Sequence, residues 1–151
     1  GKPIMAVQIE KIHDALPTGI DTLVTASRAE GIRNISTLVD QWHTGAQRFD
    51  QHNAALFAAF RDGQLAGIGG ITREDGLDEP AMRVRRFYVL PQFRRSGIAT
   101  ALAKACMAHG LSICPTLTCN AQASDAAGVF WEAVGFDAVE LPIITHVFHT
   151  R

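Results

Sequence analysis

From Arg94 to Thr100 the chain reads Arg-Arg-Ser-Gly-Ile-Ala-Thr, a run suited to holding phosphate. Ile98, Leu102, Ala105, Cys106 and His109 recur at helical spacing, so a helix begins at Ile98 and Gly97 sits in the turn before it. The first N–H groups of a helix have no partner inside it, and the helix dipole adds partial positive charge there. A small-residue turn lets phosphate oxygens come close to them. Arg94 and Arg95 bring cations to the approach, and Ser96 and Thr100 bring hydroxyls. With Ile98 and Ala99 these residues form a candidate pyrophosphate cradle.

The elements around the loop must present it. Ala81 to Leu90 reads as a central strand, aromatic and aliphatic from Phe87 onward, and Pro91 ends it because proline cannot donate a ladder bond. Upstream, Ala6 to Ile12 alternates as a strand. Pro17 and Thr18 open a helix with Ile20, Leu23, Val24 and Ser27 inward. Asn34 is a candidate N-cap for a second helix bearing Ile35, Leu38, Val39 and Trp42, which stops at Gly45. Asn53–Arg61 and Gln64–Thr72 read as a hairpin turning at Asp62-Gly63, and Gly67, Gly69 and Gly70 suggest a neighbour pressed against the second strand. Downstream, Gly110 ends the helix from Ile98. Leu111–Asn120 reads as a strand in which Pro115 is anomalous. Asp125–Val134 reads as a helix with Ala126, Phe130, Ala133 and Val134 inward, capped by Gly135. Val139–Leu141 and Ile143–Phe148 read as the last strands.

The pattern Arg94-x-x-Gly97-x-Ala99, after an apolar strand ending Val89-x-Pro91 and before an amphipathic helix, resembles the pyrophosphate loop of the GNAT superfamily of acyl-CoA-dependent N-acetyltransferases. That loop reads Gln/Arg-x-x-Gly-x-Gly/Ala. Asn120 and Gly135-Phe136 fall where the superfamily has its second cofactor-contacting segment. The resemblance covers nearly all of Met5 to Phe148, with its motifs between Arg85 and Phe136. It implies a single α+β domain over 5–151: a mixed, mostly antiparallel sheet of six or seven strands, about four flanking helices, and splayed fourth and fifth strands. A proline facing that gap would cost less. Gly1 to Ile4, ahead of Met5, reads as a remnant of expression.

The resemblance also implies a reaction. Acetyl-CoA is the co-substrate, and a small-molecule primary amine attacks it directly in a ternary complex. Phe87 and Val89 become main-chain partners of the pantetheine arm. The Val89 N–H becomes the oxyanion donor, because the strand bulges there, and Asn120 becomes the partner of the pantetheine amide; the plainer reading of Asn120 is a turn residue at the end of its strand. The alternative is a module of this fold that binds acyl-CoA without transferring the acyl group.

Other positions depart from the family pattern. Many relatives carry a thiolate-protonating tyrosine where this chain has Trp131, and an indole donates hydrogen bonds but is a poor acid. Trp131 reads as packing on the thiol end of the cofactor or on the core. Tyr88, the one tyrosine, points away from Phe87 and Val89 and is either a candidate acid or core. Where relatives often place a glutamate base, strand alternation puts Arg83 and Arg85 on the Phe87/Val89 face. Arginine is no base, but it grips carboxylates bidentately. Arg85 therefore suggests an acceptor bearing an acid as well as an amine; the competing account is an internal ion pair. In the GNAT fold the segment Trp42 to Asp50 covers the acceptor. Trp42 and Arg48 are candidate acceptor contacts, and His43 and Asp50 candidate bases. The plainer reading makes Trp42 and Phe49 core and the rest a solvated loop.

Composition excludes other classes. The chain has 151 residues, enough for one full core, and its 47% hydrophobic and 19% charged residues are ordinary for a soluble protein. A net charge of −1 gives no general attraction to nucleic acid or membrane. No apolar run reaches membrane-span length and no signal peptide is visible, so the expected location is cytoplasmic. Cys106, Cys114 and Cys119 lack metal-site spacing and read as reduced thiols, and His146 and His149 would face opposite ways on a strand, so no metal is expected. A homodimer through the last strands is compatible with the pattern.

Overall fold

The sheet grows from the hairpin at Asp62-Gly63. Both residues adopt left-handed backbone, with φ of 50° and 81°, as a two-residue hairpin turn requires. The computed structural model describes residues 7–150, so Ala6 and the segment 1–4 lie outside the described residues. In chain order the elements are β1 (Val7–Ile12), α1 (Ile20–Ala29), α2 (Asn34–Thr44), β2 (Ala55–Arg61), β3 (Gln64–Arg73), β4 (Ala81–Val89), a 3-10 turn (Pro91–Phe93), α3 (Ile98–Leu111), β5 (Thr116–Cys119), α4 (Asp125–Ala133), β6 (Asp137–Ala138) and β7 (His146–His149). The strands form one sheet in the order β1-β2-β3-β4-β5-β7-β6, antiparallel except where β4 meets β5. The mixed α+β architecture is the expected one.

Helices cover both faces. Leu23, Ile35, Leu38 and Trp42 of α1 and α2 pack on Ile68, Tyr88 and Leu90. Cys106 and Met107 of α3 and Trp131 of α4 pack on Ile71, Val84 and Leu117 on the other face. Continuous apolar burial along β3 fits a central strand covered on both sides.

Several expected boundaries move. α1 starts at Ile20, with Gly19 at φ +97° before it, because Pro17 to Ile20 forms a separate turn. Asn34 does not cap α2: its amide reaches Phe87 O at 3.0 Å instead. β2 begins at Ala55, since Asn53 is left-handed at φ +68°. α3 runs through Gly110, where a Cβ would lie 2.5 Å from Ile71 Cδ1 and 2.6 Å from Leu117 Cδ2; this glycine serves close packing, not termination. β5 starts at Thr116, so Pro115 precedes the strand and the anomaly disappears. On α4, Ala126 and Ala133 are exposed and Trp131 is the buried residue. The last strands are Asp137–Ala138 and His146–His149, with Ile143 at φ +67° in the connection, instead of Val139–Leu141 and Ile143–Phe148.

Candidate active site

β4 carries a bulge at Arg86–Phe87, not at Val89. Arg85 pairs with Gly70 and Tyr88 with Ile68, so Arg86 and Phe87 together oppose Gly69. Arg86 takes a left-handed φ of +55° to make room for the extra residue. A Cβ on Gly69 would sit 2.7 Å from Phe87 Cδ2, so the glycine lets the bulged phenyl ring lie against β3. The bulge also breaks the strict alternation. Phe87 and Val89 face α3, whereas Arg85 shares its face with Gly70 and with Phe49, which packs there. Arg83 and Arg85 therefore project toward the α1/α2 side, opposite to the face that unbroken alternation assigns.

The splay follows from the pairing. β4 pairs with β5 only through Ala81–Val84, leaving its edge from Arg85 onward without a strand partner on that side. Leu90 N–H donates to Ala66 O of β3 at 2.8 Å. By the two-residue alternation, Val89 turns its N–H and carbonyl to the open edge. The carbonyl there accepts Arg94 Nε at 3.1 Å.

At the end of this edge stands the loop. Arg95 and Gly97 adopt left-handed φ of +59° and +86°. Nothing lies within 4 Å of a Cβ built on Gly97, so its front is open. α3 has no side-chain cap and no acidic residue in its first turn, which leaves its first N–H groups turned outward. Its first closed bond of this kind is Ala101 N–H to Gly97 O, 3.0 Å. Half-buried Ala99 and Thr100 and buried Ile98 form the first turn. Arg95 is exposed and forms no ion pair among the described residues. Ser96 Oγ–H turns back to Phe93 O. Arg61, a cation that sequence spacing did not single out, comes within 3.5 Å of Ser96 O because the hairpin places the end of β2 beside the loop. These features fit a phosphate group at Gly97 and the α3 N-terminus. Arg94 fits it less well, because its guanidinium is held by Glu30 in two 2.8 Å bonds.

On the opposite face, Arg83, Arg85 and Arg86 are half-buried. None of them forms an ion pair within 4 Å with a carboxylate among the described residues, although the Glu74 charge still acts on Arg85. Arg86 reaches Gln41 Oε1 at 3.4 Å, while its buried Nε has no acceptor. Burial depresses the Arg85 guanidinium, Arg83 depresses it further, and Glu74 partly offsets both. Burial lowers Arg86 in the same way, with Arg85 and Arg83 adding to it. A desolvated, mutually repelling set of cations is a site that an anion would stabilise.

Other expected site residues go elsewhere. Asn120 Oδ1 accepts Gln122 N–H at 3.0 Å and its amide donates to Ile143 O at 2.7 Å, so it closes the turn after β5, and both ends of the side chain are used. Tyr88 is buried against α1 and α2 and donates its hydroxyl to Glu30; burial first, then Glu30, raises its pKa. That removes it from the thioester side. Trp131 is buried in the core on the α3/α4 side, edge-on to Phe87 at 4.9 Å between ring centroids. Trp42 is core, and Arg48 Nε caps α2 through Trp42 O at 2.8 Å. His43 and Asp50 are exposed and neither bonds to β4; Asp50 lines a groove of about 440 Å³ with Lys11, His13 and His109. Glu30, Asn34, Gln41 and Arg86 were missed, because their roles depend on contacts distant in sequence.

The sheet thus parts beside a helix N-terminus that no side chain caps. A family model described as an acetyltransferase (GNAT) domain matches residues 23–148. The chain belongs to the GNAT acetyltransferase family, whose co-substrate is acetyl-CoA. Among solved structures, one from Exiguobacterium sp. 255-15, provisionally named an acetyltransferase, is 27% identical with a TM-score of 0.85 and covers 96% of this chain and 94% of that one. A GNAT acetyltransferase from Elizabethkingia anophelis, solved with acetyl-CoA bound, is 14% identical with a TM-score of 0.66, covering 95% and 97%. Escherichia coli YhbS, solved with CoA, is 14% identical with a TM-score of 0.68, covering 99% and 84%. No curated protein matches the chain. No helix among the described residues is long and apolar enough to cross a membrane.

Proposed function

We propose that the protein moves an acetyl group from acetyl-CoA to the primary amine of a small acceptor that also carries a carboxylate. The observation that carries this reading is the group of unpaired, half-buried arginines on the α2 face of β4. Family membership supplies the acetyl donor. The open loop at Gly97 and the α3 N-terminus hold the pyrophosphate, with Arg95 and Arg61 alongside. The open edge of β4 receives the pantetheine arm, with Trp131 and Phe87 forming its apolar wall. The Val89 N–H, free on that edge, donates to the oxyanion. Losing such a donor costs about 2.7–4 kcal/mol in the transition state.

The sheet separates the two substrates. The donor approaches from the α3 side, and the acceptor carboxylate is held by Arg85, with Arg83 and Arg86 adding charge. The amine attacks through the gap beside the bulge. With His43 and Asp50 exposed and Tyr88 bound to Glu30, solvent takes the amine proton, and the departing thiolate needs no strong acid because a thiol has a pKa of about 8.5.

The test is a panel of primary amines in pairs with and without a carboxylate, scored by CoA release, using wild type and Arg85→Met. The expected result is a preference for the carboxylate member and a rise of about tenfold or more in acceptor KM for Arg85→Met, with acetyl-CoA KM unchanged. An unchanged acceptor KM removes Arg85 from the site. Acetyl-CoA binding without transfer to any amine leaves an acyl-CoA-binding module.

A further inference from the structure

Arg94 opens the Arg-x-x-Gly-x-Ala loop, yet its side chain does not point into the loop's open front. It crosses the free edge of β4. Nε donates to Val89 O at 3.1 Å, and the two terminal nitrogens grip Glu30, each at 2.8 Å. Its guanidinium carbon lies 5.5 Å from the Tyr88 ring centroid. Tyr88 donates its hydroxyl to the same Glu30 carboxylate. Glu30 closes the C-terminus of α1, on the acceptor side of the sheet. One side chain thus joins the last residues of β4, the loop and α1. Its charge is already balanced by Glu30, and the two groups shift in the directions a mutual pair produces, Glu30 down and Arg94 up.

We propose that Arg94 is a positioning residue and not a phosphate ligand, and that Glu30 is its required partner. This rests on the cofactor-loop reading above. The clamp fixes the Val89 carbonyl and so the peptide run that carries the Val89 N–H. It also ties α1, which covers the acceptor face, to the entry of the cofactor loop. The cations left for phosphate are Arg95 and Arg61.

The two roles for Arg94 give opposite signs for Glu30→Gln. If Arg94 were a phosphate ligand, removing an anion beside a polyanion's site would free its cation and tighten CoA binding. If Arg94 is a clamp, the loop and the Val89 edge loosen. CoA binding then weakens about tenfold, and kcat falls with it. Calorimetric titration with CoA at low and high salt reads this directly. Arg94→Met weakens binding but keeps the wild-type salt dependence, because no phosphate contact is lost; Arg95→Met flattens that dependence. The double variant Glu30→Gln, Arg94→Met is no worse than Arg94→Met alone. Tyr88→Phe keeps both charges, removes one hydrogen bond to Glu30, and gives a smaller loss of the same sign if Glu30→Gln does not fold. Unchanged or tighter CoA binding in Glu30→Gln, or a flattened salt dependence in Arg94→Met, overturns the proposal. Gly97→Glu is the control: if it still binds CoA like wild type, the loop reading itself fails, whatever Arg94 does.

Discussion

Gly97→Ala separates two reasons for a glycine at the head of α3. The backbone reason is φ of +86°, which an L-residue adopts at a cost of about 1 kcal/mol. The steric reason within the protein is absent, because a Cβ there meets nothing within 4 Å. Stability should therefore fall by only that amount, about 2–4 °C in Tm for a domain of this size. A phosphate oxygen approaching the loop N–H groups would meet the new methyl, however. Losing one charge-assisted backbone bond costs about 1.5–3 kcal/mol, or about ten- to a hundredfold in CoA affinity. Gly63→Ala is a matched control: its φ is +81°, its Cβ also meets nothing, and it sits in the β2–β3 turn. Both variants should lose similar Tm in thermal unfolding, and only Gly97→Ala should lose CoA affinity by calorimetry. Equal affinity in both would mean that Gly97 serves the turn alone, and the phosphate cradle would be refuted.

Arg86→Met should raise Tm by about 2–4 °C, since it removes a buried nitrogen without an acceptor and the repulsion from Arg83 and Arg85; a fall of similar size would show that the 3.4 Å bond to Gln41 outweighs both. Burial pushes the Cys106 and Cys119 thiols up to about 12, so a thiol-specific disulfide reagent near neutral pH should label Cys114 alone in the native state and all three after denaturation; native labelling of Cys106 or Cys119 would contradict the packing. Arg94 holds the Glu30 carboxyl below its ordinary value of 4.5. A lowered folded pKa gives stability that is present above the unfolded value and lost as pH falls through the folded one. Denaturant titrations should therefore show Glu30→Gln closing on wild type below pH 4.5 and trailing it above; a constant gap across that range would mean the pair contributes nothing through charge.

The cradle could be read from sequence because its parts are contiguous. A strand, a proline stop, a left-handed glycine and a helix fall within one short run, and each leaves a local signature. The order of elements was legible for the same reason: hairpin, caps and helical periodicity are short-range. Asn34 shows where this fails. It has the right residue type and position for an N-cap, but its amide bonds to Phe87 O, which only the packed sheet brings near. Asn120 serves the turn after β5, and its amide partner, Ile143 O, is likewise brought near only by the fold of β5 on β7. The bulge had the larger consequence. Nothing in Arg85-Arg86-Phe87 alone marks an extra residue; its cause lies across the ladder, where Gly69 leaves room for Phe87. One unpaired residue moves every side chain before it to the other face of the strand. Without it, Arg85 would share the donor's side with Phe87 and Val89, where a carboxylate-bearing amine would compete with the pantetheine arm. With it, the arginines stand behind the sheet, facing α2, as the proposed route requires: an acceptor anchored there would send its amine through the gap to a thioester arriving from the α3 side.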